Sequence, residues 1–143
     1  MQHYNALEAA RQCRGELKEA ASLVEIAASS PIGEPNWRSN LQAELDHLRI
    51  ALEAHVEEVE GDTGLLKQLT EVAPRLVNHI NRVKDEHPEL SRQVAHAIAS
   101  ANASTSPEDL RKEVIAVLLA IVRHRQRGAD LVYEGYHVDI GGG

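Results

Sequence analysis

Of the eight histidines in this chain, His55, His87 and His124 each fall on the apolar stripe of a different helical segment, and the lone cysteine, Cys13, falls on the stripe of another. A buried imidazole without a partner costs about 1–3 kcal/mol. Three at one level therefore ask for a shared explanation, and the simplest is a metal ion. Neutral imidazole ligates zinc, iron and manganese, and a carboxylate beside it widens the choice among them. Glu58 follows His55 at i+3 and so lies on the same side of its helix. Each residue also has a plainer reading: a lone buried histidine is often bonded to a nearby backbone or side-chain group, and free cysteine is a common small core residue. Glu58 is equally open to being solvated beside Glu57 and Glu60.

The helices must bring these residues to one depth. The first segment runs from about Tyr4 to Ser29 with a stripe at Ala6, Ala10, Cys13, Leu17, Ala20, Val24 and Ala27. Two prolines and a glycine within Pro31 to Asn36 break it, and Trp37 is expected to pack at the base of the next helix. That helix spans about Arg38 to Glu60, with Leu41, Leu45, Leu48, Leu52, His55 and Val59 inward, until Gly61 and Gly64 stop it. A third begins near Leu65, is expected to kink at Pro74 and again at Pro88, and turns Leu76, Ile80, Val83, His87, Leu90 and Val94 to one side before a loop from Ala101 to Ser106. Ser106 as N-cap, Pro107 at the first helical position and two acids in the first turn open the fourth, whose stripe is Leu110, Val114, Val117, Ile121, His124, Gly128 and Leu131. From about His137 a glycine-rich tail loses the period and is expected to be flexible.

Four helices with short connections define an all-α, up-down-up-down four-helix bundle, and 143 residues fit a single domain, 1–143. Measured from the end that holds the turn after Ser29 and the loop before Pro107, Cys13 lies 16 residues deep, His55 17, His87 14 and His124 17. At 1.5 Å per residue these depths agree within about 5 Å, one helical turn. His79 falls on the edge of its stripe. Glu44 and His47 match one half of a di-iron Glu-x-x-His pair, but no second copy exists, so they are read as surface. Arg123, Arg125 and Arg127 are expected to form surface ion pairs with Glu57, Glu58 and Glu60.

A formal charge of −7 disfavours nucleic acid and anionic membrane as partners. One cysteine allows no internal disulfide, and no leader or membrane-spanning run is evident, so a cytoplasmic location is expected.

His55-Val-Glu-Glu58, Glu86-His87 and the stretch from His124 to Glu134 resemble the bacterial hemerythrin-like, or HHE cation-binding, family over about residues 5 to 136. The resemblance implies a four-helix bundle holding non-haem iron, usually a di-iron centre, that binds oxygen or senses oxygen, nitric oxide or redox state. It implies His55, Glu58, His87 and His124 as metal ligands, with Cys13 where the family's first helix has a histidine, either as a replacement ligand or as a redox-sensitive thiol. The family's carboxylate positions on helix four hold Gly128 and Ala129 here, and four residues past His55 stands Val59, too few ligands for an ordinary bridged di-iron site, which leaves a mononuclear, an altered dinuclear or a lost site as alternatives. The alternative expectation is a family member without metal that acts as a helical scaffold or regulatory partner, its polar layer satisfied internally. Iron oxidation or peroxide removal at the same centre ranks below both, and the chain is not expected to be an enzyme.

Overall fold

A computed structural model describes residues 5–138. Four long helices form the bundle: α1 (Ala6–Ser29), α2 (Trp37–Glu60), α4 (Val77–Asn102) and α5 (Pro107–Tyr133), with a short α3 (Leu65–Val72) between the second and third. No strand occurs among the described residues. Packing runs around a ring, α1 on α2, α2 on α4, α4 on α5 and α5 back on α1. This is the expected up-down-up-down order, with α2 and α5 on opposite corners.

The helix starts follow from local chemistry. Asn5 Oδ1 accepts from the Glu8 amide at 3.0 Å, and Ser106 Oγ accepts from the Asp109 amide at 3.2 Å, each capping a first turn that carries acidic residues. The end of the bundle bearing the two short loops is fastened by arginines. Arg111 donates to the carbonyls of Ala28 (2.7 Å) and Ser30 (2.6 Å), and Arg38 and Gln42 donate to that of Ala101 (3.0 and 2.8 Å), so carbonyls left over at the C-terminal ends of α1 and α4 gain partners from neighbouring helices. Trp37 is buried as the first residue of α2, with the Arg111 guanidinium 5.7 Å over its ring, in keeping with a structural role.

Three details differ from the sequence reading. Ala28 rather than Ala27 is buried on α1, because the stripe advances by four from Val24. The expected kink at Pro74 is a full break: Ala73 leaves the helical region (φ −140°, ψ 66°), Pro74–Leu76 form one 3₁₀ turn, and α3 becomes a separate helix packed on α1, α2 and α4. Ala101 is buried within α4, which runs to Asn102, so the loop before α5 is shorter than expected. Pro88 lies inside α4 and the helix continues through it. Residues 134–138 form one wider helical turn, and the rest of the glycine-rich tail lies outside the described residues.

The core is split in two. One apolar cluster, built on Leu17, Leu41, Leu45, Val94, Leu110 and Val114, fills the end with the two loops. A second, built on Val59, Leu66, Leu69, Ile80, Val83 and Leu131, lies under α3. The layer between them holds the histidines.

Candidate metal centre

His55, His87 and His124 project from α2, α4 and α5 and are 7%, 2% and 2% exposed, the only buried polar side chains among the described residues. Their ring centroids are 4.8 Å apart for His87 and His124, 5.5 Å for His55 and His87, and 5.6 Å for His55 and His124. One nitrogen from each lies within 4.8 Å of one from each of the others, close enough to share one ion with small side-chain adjustments.

Two rings are oriented from outside. His87 Nδ1 meets Glu60 Oε2 at 2.6 Å, and His124 Nδ1 meets Glu86 Oε1 at 2.8 Å. Arg127 pairs with the other oxygen of Glu86 and holds that carboxylate in place. A carboxylate on Nδ1 fixes the tautomer with its proton there and leaves Nε2 as a lone-pair donor, the arrangement that prepares a histidine for a metal. His87 Nε2 is buried with no hydrogen-bond partner, and so is His55 Nδ1. His55 has no carboxylate behind it.

Burial disfavours the charged form at His55 and His124. Burial pushes the imidazolium of His55 down to about 3, helped by the nearby His124, His87, Arg14 and Arg125. Burial lowers His124 as well, outweighing the opposite pull of its hydrogen bond to Glu86. Neutral imidazole is the form that ligates a metal.

Cys13 and Glu58 stand outside the group of mutually close ligand atoms. Cys13 is half-buried on α1, and burial with the charge of Glu16 raises its thiol above the usual range, which keeps it protonated. Glu58 is half-buried, and its Oε1 has no partner. From α1 it is Arg14, one residue past Cys13, that reaches the layer.

A cavity of about 30 Å³ adjoins the three rings. Val59, Leu66, Leu69, Val83 and Leu131 line its apolar side, and Arg14 and Arg125 line it as well. Arg125 therefore departs from the expected surface pairing with the acids of α2: α2 and α5 occupy opposite corners, Glu60 is engaged by His87, and Arg127 pairs with Glu86 of α4. His47 is exposed, in line with its surface assignment; His79, from the edge of its stripe, is exposed as well, and His96 is exposed and paired with Glu113.

Four residues of the site went unrecognised in the sequence: Glu60, Glu86, Arg14 and Arg125. A signal existed for the acids, since each long helix has a polar flank beside its stripe, but nothing in the local sequence says that Glu86 serves His124 on the next helix rather than its own neighbour His87.

Fold and site together define an all-α bundle with a buried three-histidine cluster that could hold a metal ion. No family model matches the chain, and no curated protein or solved structure does so either.

Proposed function

We propose that this chain is a hemerythrin-like metal-binding protein in which His55, His87 and His124 hold a single non-haem iron ion. The observation that carries the reading is the pair of carboxylates behind two of the three rings. Glu60 and Glu86 orient His87 and His124 with Nδ1 outward, an outer shell that a metal-binding histidine typically has. The unpartnered nitrogens His55 Nδ1 and His87 Nε2 weigh against the scaffold alternative, because a layer kept for internal hydrogen bonding would not leave two buried ring nitrogens unsatisfied. Three imidazoles fill three positions and leave at least one for an outside ligand, as in centres that bind small molecules. Iron follows from the resemblance, and zinc is the competing ion for a three-histidine set. Binding or sensing of a small ligand fits better than turnover, since no general acid or base lines the cavity beyond the ligands themselves.

The test is metal content per chain by plasma mass spectrometry, on untagged protein from iron-supplemented medium, beside His87→Ala. About one ion in the native chain and a large loss in the variant is the expected result. A native chain that stays folded and free of metal even after reconstitution with ferrous iron or zinc overturns the reading.

A further inference from the structure

The charges facing the cavity do not suit a bare cation. Its lining includes two arginines, Arg14 and Arg125, and no carboxylate. Glu60 and Glu86 lie behind the rings and are engaged by His87, His124 and Arg127; Glu58 is not among the lining residues. Neither Arg14 nor Arg125 joins an ion pair among the described residues, and Arg125 Nε is buried with no partner. A half-buried arginine normally has a carboxylate, phosphate or carbonyl opposite its fork. Here two of them line the same void as the three imidazoles.

A divalent ion on those imidazoles would be a third positive centre around a space with an apolar wall, where like charges repel more strongly than in water. The arrangement becomes balanced when an anion lies between the ion and the two forks.

Resting on the reading of the three histidines as a metal centre, we propose that this centre binds its metal together with a small oxyanion, one oxygen on the ion and the other held by Arg14 and Arg125. The cavity of about 30 Å³ has room for two or three water-sized groups, which suits a planar anion of three heavy atoms such as a carboxylate head or nitrite better than a tetrahedral phosphate. A planar O–X–O group also matches the arginine fork. Because anion and metal each relieve the other's electrostatic cost, each tightens the other's binding by the same factor.

The full chain loaded with cobalt(II), whose visible absorption responds to its ligands, is titrated with formate, nitrite and phosphate, and cobalt content is measured in every sample. Formate and nitrite should produce a saturable spectral change and phosphate none, and formate should tighten cobalt binding. In Arg14→Gln/Arg125→Gln, formate should bind about tenfold or more weakly, while cobalt without formate binds as tightly as in the native chain or more so. Arg125→Lys, which keeps the charge and loses the fork, should lie in between and serves if the double variant does not fold. Cobalt-loaded protein indifferent to formate, or variants that bind formate as the native chain does, overturn the inference and leave the metal centre standing. A chain that takes up no cobalt with or without formate removes the metal centre, and this inference with it.

Discussion

At His124 the ring sits between a carboxylate and the centre of the bundle, and that carboxylate comes from α4 rather than from its own helix. Glu86→Gln keeps the side-chain shape while removing the charge that steadies the Nδ1 proton, so metal affinity should fall about 10- to 100-fold with the fold intact; competition with a chromophoric chelator reads this directly, and an unchanged affinity would show that Glu86 is structural only. His55 behaves differently, because burial and its cationic neighbours hold its imidazolium down to about 3. In metal-free protein the unfolded chain takes up a proton at this residue below about pH 6.5, which the folded chain refuses until about pH 3. Stability should therefore be fully present above pH 6.5 and decline as pH falls toward 3, by about 1.4 kcal/mol per pH unit for this one group, with His124 acting in the same direction. Urea midpoints at pH 7, 6, 5 and 4 measure it. The decline should be shallower in His55→Gln, and a flat profile from pH 7 to 5 would contradict the account.

Among the elements, α1 offers the core mostly small side chains. It has alanine at Ala6, Ala10, Ala20 and Ala28 of its buried face and a glycine, Gly15, in its interior. Gly15 is exposed, and a Cβ there would meet nothing within 4 Å. Gly15→Ala should therefore stabilise the protein by about 0.5–1 kcal/mol, seen as a higher urea midpoint with an unchanged slope; a loss of stability would mean that α1 needs the freedom of glycine there. The short α3 has the opposite character. Leu65, Leu66 and Leu69 are all buried in eight residues, and Gly64 and Gly135 allow close approaches on either side of it: a Cβ on Gly64 would lie 2.5 Å from the Glu58 carbonyl, and one on Gly135 would run into Leu69. Through Leu65, Leu66 and Leu69, α3 closes the cavity from below.

For the molecule as a whole, a metal bound only by the folded state adds stability by mass action, about 2.7 kcal/mol at a hundredfold excess over Kd. In a bundle of this size that corresponds to a rise in Tm of roughly 10 °C. Scanning calorimetry of the chain with saturating metal and then with excess chelator should show that rise appear and vanish. The same Tm in both would mean that the histidine layer holds no ion under those conditions. No helix among the described residues is long and apolar enough to cross a membrane.

The sequence by itself determined the four long helices, their order and the depth of the three histidines, because each rests on periodicity and rise per residue, which are local properties of a chain. Leu41 through Val59 on α2 and Leu110 through Leu131 on α5 face inward almost residue for residue as their spacing requires. Only the tertiary structure decided what surrounds the rings. Arg14 rather than Cys13 reaches the layer from α1, Glu86 serves a histidine on another helix, and Arg125 turns toward the cavity because α2 stands across the bundle instead of beside α5. These outcomes depend on the rotation of each helix about its axis and on which helices are neighbours. Packing of all the stripes together settles both, and no single stripe contains that information.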